Sequence, residues 1–147
     1  MVATAAVRDE GTTPGYVPLG YPAVADFELA QSMLAAGRSL NYRIHAGIVR
    51  SHDSLYTDLH ASRMPRREEL EQALRVWHRA QVLCNDMETS TIFVLCALRR
   101  MRAGSVLTVV NDPGEEDIEA SRVAALDLTP MFRVALAAIR QLAPIEA

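Results

Sequence analysis

The segment 85–93, NDMETSTIF, contains the residues best suited to binding chemistry. It opens with helix-initiating side chains, including Asp86, and residues 89–101 are strongly helical and mostly apolar. A carboxylate at such a strand-to-helix junction, here Glu88, can accept two charge-assisted hydrogen bonds from the vicinal hydroxyls of a sugar. The alternative is structural: Glu88 would interact with the helix dipole, and Met87 would be a core residue.

The composition is that of an ordinary globular domain. Of the 147 residues, 50% are hydrophobic and 22% are charged, which is enough for one domain with its own core. The net charge of −3 gives no electrostatic reason to expect a nucleic acid or an anionic membrane as partner. No apolar run approaches the roughly 20 residues that span a bilayer, and the first residues do not resemble a secretory signal. We therefore expect a cytoplasmic protein.

The two cysteines, Cys84 and Cys96, lie in otherwise apolar runs. Their spacing matches no zinc or redox motif, so buried reduced thiols are expected. No metal site is predicted.

Hydrophobic periodicity and turn residues predict alternating strands and helices. Strands are predicted at residues 1–7, 42–49, 80–84 and 105–110. Helices are predicted at residues 23–40, 67–80, 89–101 and 116–142, the last one interrupted near Pro130. The glycine- and proline-rich residues 11–22 read as a loop, and residues 50–67 as a polar stretch without periodicity. This alternation is typical of an α/β fold with a largely parallel sheet, in which a strand starting at residue 2 would be an edge or would need neighbours that the chain does not supply.

Four stretches, taken in order along the chain, resemble the motifs of one enzyme family. They are ATAAVRDEGT with YPAVADFEL at residues 3–12 and 21–29, HAGIVRSHDSLY at 45–56, NDMETSTIF at 85–93 and LRRMRAGSV at 98–106. Their order and spacing are nearly those of the nucleoside phosphorylases, and the similarity covers almost the whole chain. The chain therefore resembles this family, and its uridine phosphorylase branch in particular.

The resemblance implies a three-layer α/β/α phosphorylase-like fold with an incomplete mixed sheet. Residues 1–147 would form the C-terminal part of the phosphorylase domain, with the N-terminal half missing. That half holds the glycine-rich phosphate loop of the family and a histidine that completes the neighbouring subunit's site. The seven glycines of this chain are scattered and form no phosphate-cradling loop. Because an incomplete sheet leaves an open edge and uncovered apolar faces, a homo-oligomer is expected.

The resemblance also assigns sugar-binding roles within NDMETSTIF. Glu88 matches the glutamate that binds the ribose hydroxyls, and Met87 matches the methionine that packs under the sugar. Asp86 replaces the family's first glutamate, keeping its charge with a shorter reach, and would also be a sound helix cap.

On the base side, Leu55 occupies the family's aromatic stacking position, with Tyr56 next to it. The family's glutamine has no counterpart between Tyr56 and Arg67, and Arg63 is the stand-in for its arginine. A solvated basic loop is the alternative for Arg63. His52, a lone histidine beside an aspartate, is expected to be exposed.

Asp112 follows the predicted strand 105–110 within Asn-Asp-Pro-Gly. The purine branch of the family has an aspartate near this point that assists the leaving base, which makes Asp112 a candidate acid or base. Turn chemistry alone also explains the tetrapeptide.

The implied activity is phosphorolysis of a pyrimidine nucleoside to the base and ribose 1-phosphate, with inorganic phosphate as co-substrate and no cofactor. Because the family's phosphate-binding residues lie upstream, we expect the chain to be weak or inactive alone. The alternatives are a non-catalytic nucleoside-binding remnant and a nucleosidase that uses water.

Overall fold

A computed structural model describes residues 1–110 and 127–142. Within these residues the strands are β1 (Val2–Asp9), β2 (Ala23–Val24), β3 (Ala46–His52), β4 (Cys84–Asp86) and β5 (Ser105–Val106). The helices are α1 (Phe27–Ser39), α2 (Leu55–Leu59), α3 (Arg67–Arg79), α4 (Thr89–Leu98) and α5 (Thr129–Leu142). Two 3-10 turns lie at Thr13–Gly15 and Ala61–Arg63. No described helix has the length and apolar character needed to cross a bilayer.

The strands form one mixed sheet with β1 at its centre. β3 runs parallel to β1, and β4 runs parallel to β3. On its other side β1 pairs antiparallel with both β2 and β5. The expectation that β1 would be an edge strand, or would need neighbours that the chain does not supply, is therefore wrong. Its residues Val2 and Ala3 are fully buried.

Helices cover both faces of the sheet, which confirms the three-layer α/β/α arrangement. On one face, Phe93 and Val94 of α4 pack against β1 and β3. On the other face, α1 and α5 pack against each other and against Val2 of β1. The alternation of side chains along β1 supplies both cores, since Val2 faces one layer and Ala3 the other.

α1 begins four residues later than predicted. The carboxylate of Asp26 accepts a hydrogen bond from the Leu29 amide at 2.8 Å, so the helix starts at Phe27. The preceding Ala23 and Val24 pair with β1 instead. Apolar periodicity alone does not distinguish the two residues of a strand from the first turn of the helix after it.

Two strand predictions are displaced for a shared reason. β3 was expected at residues 42–49 but spans Ala46–His52. Its last three residues are polar, so hydrophobic periodicity did not indicate a strand there, although all three are buried. β4 was expected at residues 80–84 but is formed by Cys84–Asp86, which pair with that same end of β3. The polar residues at the carboxyl ends of β3 and β4 were therefore not recognised as strand residues.

The other elements differ less from expectation. α3 matches its prediction to one residue, while α4 ends three residues early, where Arg100 has a left-handed φ of 55°. Pro130 lies in the first turn of α5 and does not interrupt a longer helix within the described residues. The polar stretch 50–67 contains α2 and a 3-10 turn.

Candidate functional site

Polar residues collect at one edge of the sheet, where the parallel strands end. Glu10 follows β1, His52 ends β3 and Asp86 ends β4. Ligands of open α/β sheets bind outside the carboxyl ends of the strands. This edge is therefore the candidate site.

Asp86 is held by hydrogen bonds through both carboxylate oxygens. Oδ1 accepts from the Ser51 hydroxyl at 2.6 Å. Oδ2 accepts from the Thr89 amide at 2.9 Å and from the Thr89 hydroxyl. Asp86, two residues before the N-cap position, thus binds the first amide of α4 and stabilises the start of the helix, one of the two roles that the sequence left open.

Glu88 has different surroundings, although it lies only two residues further along. It occupies the N-cap position of α4, but its side chain makes no capping hydrogen bond. Its Oε2 accepts from the Met87 amide at 3.3 Å, and the residue is exposed. Met87 is 40% exposed, so it is not a core residue. These two side chains lie together at the surface of the bend between β4 and α4.

A buried carboxylate, Glu10, lies behind this bend. It accepts hydrogen bonds from the amides of Thr12 and Thr13 at 2.6 and 2.8 Å, from the Thr13 hydroxyl, and from the Ser90 hydroxyl at 3.1 Å. Burial favours the neutral acid, but the hydrogen bonds from Thr13, Thr12 and Ser90 outweigh it and lower the pKa of Glu10. The charged form of Glu10 therefore connects the turn after β1 to the start of α4.

A second cluster lies on the other face of β3 and is centred on Asp58 of α2. Its Oδ2 accepts from Arg50 Nη1 at 2.7 Å and from Asn85 Nδ2 at 2.7 Å, and lies 3.2 Å from His52 Nε2. Arg50 also donates to Asp9 at 2.6 Å. His52 is 4% exposed, so the expectation of an exposed loop histidine is wrong. Through Asn85, this cluster joins α2 to the strand that precedes Glu88.

The base-side candidates lie on and after α2. Leu55 and Tyr56, in its first turn, are exposed, and Tyr56 stacks on His60 with ring centroids 5.9 Å apart. Arg63 is exposed on the following 3-10 turn and makes no ion pair with another described residue. None of the three makes a hydrogen bond or an ion pair with Glu88. Asp112 lies outside the described residues.

A cavity of about 580 Å³ lies at the opposite edge of the sheet. Met1, His45 and Leu83 line it, beside the amino ends of β1, β3 and β4. No carboxylate is among the described residues that line it, so it lacks the charged acceptor that the bend at Glu88 offers. No group of three or more acidic, histidine or cysteine side chains in the described part of the chain could hold a metal ion.

Sequence reasoning missed the buried polar residues Glu10 and Ser51, which support the bend, and the partly buried Asp58 of the second cluster. Ser51 and Asp58 were assigned to the polar stretch 50–67, and Glu10 lay between the predicted first strand and the loop and was assigned no role. One signal could have indicated Ser51, which follows closely after the apolar run that ends at Val49. Polar residues at the end of a strand can continue the strand when they have buried hydrogen-bond partners.

The comparison with known families gives an unambiguous match. Residues 1–140 match the family model described as the phosphorylase superfamily. This match covers nearly all of the chain and all but the last two described residues. It therefore includes both the sheet and the candidate site.

Individual relatives agree with this assignment. The chain is 33% identical to the uridine phosphorylase of Treponema pallidum and 28% identical to that of Escherichia coli, with 97% of the chain covered in each case. It covers 55% and 57% of those proteins, so it spans little more than half of their length. A guanosine phosphorylase of Halorubrum lacusprofundi is 31% identical over 74% of the chain and is covered over 41% of its own length. The chain belongs to the phosphorylase superfamily, with a resemblance to its uridine phosphorylases along almost its whole length.

Proposed function

We propose that this chain carries the sugar-binding part of a uridine phosphorylase-like enzyme. The proposed reaction cleaves a pyrimidine nucleoside with inorganic phosphate to give the base and ribose 1-phosphate. The uridine phosphorylases among the relatives support this reaction, although the chain spans little more than half of their length. A homo-oligomeric assembly and a cytoplasmic location stay predictions.

One observation carries the proposal, namely the difference between the two carboxylates of the bend. Both oxygens of Asp86 accept hydrogen bonds from Ser51 and Thr89, so Asp86 has little capacity left for a ligand. Glu88 is exposed, and among the described residues its carboxylate makes one hydrogen bond, a long one to the neighbouring amide. A free carboxylate can accept two hydrogen bonds from a vicinal diol. Glu88 is therefore the proposed acceptor for the ribose 2′- and 3′-hydroxyls.

The remaining substrate contacts are proposed around this acceptor. Met87, exposed beside Glu88, supplies an apolar surface under the sugar. Leu55 and Tyr56 supply the apolar wall for the base, and Arg63 is the proposed donor to the base edge. Asn85 and Asp58 link this wall to the sugar-binding bend through a 2.7 Å hydrogen bond.

Calorimetric titration with uridine tests the role of Glu88. We expect Glu88→Ala to weaken uridine binding by about tenfold or more, since two charge-assisted hydrogen bonds are lost. Glu28→Ala is the control, because Glu28 is an exposed carboxylate on α1 that pairs with Arg102. Equal uridine affinities for the wild type and Glu88→Ala would remove Glu88 from the site and contradict the proposal.

A further inference from the structure

Ser51 is a fully buried serine at the carboxyl end of β3, directly opposite Asp86 in the parallel pairing of β3 with β4. Its hydroxyl donates to Asp86 Oδ1 at 2.6 Å and accepts from the Ser90 amide at 2.8 Å. These two partners lie on either side of Met87 and Glu88 in the chain. A single oxygen atom therefore holds both ends of the segment that carries Glu88.

The segment between these two anchors is closed by its own hydrogen bonds as well. Asp86 Oδ2 accepts from the Thr89 amide, so the chain turns back on itself across Met87 and Glu88. The Ser90 hydroxyl is anchored separately, to Glu10 at 3.1 Å. Only the two exposed residues at the tip of the bend have no anchor of this kind, so the direction of Glu88 depends on the position of its buried ends.

We propose that Ser51 is a positioning residue that sets the direction of the Glu88 carboxylate for the ribose diol. This inference rests on the function proposed above. Without the hydroxyl, the buried Ser90 amide and the partly buried Asp86 Oδ1 each lose a partner. The bend then rearranges to satisfy them, and Glu88 moves away from the geometry that a diol requires.

A ligand series separates this role from a general structural one. We expect Ser51→Ala to weaken uridine binding by about tenfold in calorimetric titrations while leaving 2′,3′-dideoxyuridine unaffected, because that analogue has no diol for Glu88. Ser32→Ala is the matched control. Ser32 is also buried and its hydroxyl also makes two hydrogen bonds, to Ala138 and Gln141, but it lies between α1 and α5.

The outcomes distinguish this inference from the function on which it rests. If Glu88→Ala is selective for the diol and Ser51→Ala weakens both ligands equally, or neither, the positioning role is wrong. If Glu88→Ala itself leaves uridine binding unchanged, the proposed function fails.

Backbone amide hydrogen exchange provides a test that needs no ligand. The Ser90 amide donates to Ser51 in the wild type, so Ser51→Ala is expected to speed its exchange by about tenfold, together with that of Thr89. Ser32→Ala is expected to leave both rates unchanged. Unchanged exchange at Ser90 in Ser51→Ala would overturn the inference whatever the affinity for nucleosides.

Discussion

Asp86 and Glu88 are two acidic residues of one short bend, and their neighbours give them different roles. Asp86 lies opposite Ser51 and close to the Thr89 amide, so it stabilises the start of α4. Glu88 lies at the exposed tip of the bend. The sequence indicated that both could bind a ligand or serve the helix. It could not assign the roles, because the deciding partner, Ser51, lies 35 positions away from Asp86 along the chain.

Glu10 gives a residue-scale prediction about pH. Since its pKa in the folded protein is lowered from the ordinary 4.5, its carboxylate stabilises the fold above about pH 4.5. That contribution is lost as the pH falls through the lower folded-state pKa. We expect Glu10→Gln to unfold more easily at pH 7 in urea titrations, and its free energy of unfolding to decline less steeply than that of the wild type below pH 4.5.

Glu68→Gln is the control for this measurement, because Glu68 is an exposed carboxylate in the first turn of α3. Its free energy of unfolding at pH 7 should differ from that of the wild type by at most about 0.5 kcal/mol, as is usual for an exposed surface position. A Glu10→Gln curve parallel to the wild type throughout would mean that Glu10 binds protons equally well in the folded and unfolded chains.

At the scale of elements, Asp26 is the N-cap of α1, and its contribution to the free energy of unfolding can be measured. Asp26 also accepts from Arg102 at 2.9 Å, and this contact is the main reason why the pKa of Asp26 is lowered. We expect Asp26→Ala to reduce the free energy of unfolding by about 1 kcal/mol, the usual cost of losing an N-cap. Urea or thermal unfolding measures it.

Asp26→Asn separates the cap from the ion pair. Asparagine keeps an oxygen that can accept from the Leu29 amide but has no charge for Arg102. Because the ion pair is partly exposed, it should contribute little, and the asparagine variant should remain close to the wild type. An asparagine variant as unstable as the alanine variant would show that the ion pair, and not the cap, stabilises this end of α1.

Helix α3 and strand β5 show why some elements were predictable and others were not. α3 has acidic residues in its first turn and basic ones in its last, so local signals define both ends. β5 was predicted over residues 105–110 from its apolar, β-branched sequence, but only Ser105 and Val106 pair. In the antiparallel register Val106 pairs with Val2, the first residue of β1, so residues 107–110 extend past the start of β1. Strand length thus depended on a distant partner.

At the scale of the whole molecule, the two faces of β1 explain why the layer arrangement could be predicted although the position of β1 could not. Its small and β-branched residues allow helices to approach on both sides, as the resemblance implied. Its central place depends on β2 and β5, whose antiparallel pairing no periodicity in the sequence indicated. The carboxyl ends of β1, β3 and β4 then meet at one edge, which gathers Glu10, Ser51 and Asp86 behind Glu88.

At the scale of the whole molecule, the product formed from the sugar distinguishes phosphorolysis, hydrolysis and binding without reaction. If the chain is a phosphorylase, purified protein with uridine should release uracil slowly, only when inorganic phosphate is present, and with ribose 1-phosphate as the second product. Slow release is expected because the chain spans little more than half of the length of its uridine phosphorylase relatives. Chromatography of the products formed with and without phosphate measures the release of uracil and identifies the sugar product.

Free ribose formed at the same rate without phosphate would identify a hydrolase, whereas uridine binding without any release would identify a nucleoside-binding protein. In either of those cases the role proposed for Glu88 would still apply, because binding the sugar is common to all three activities.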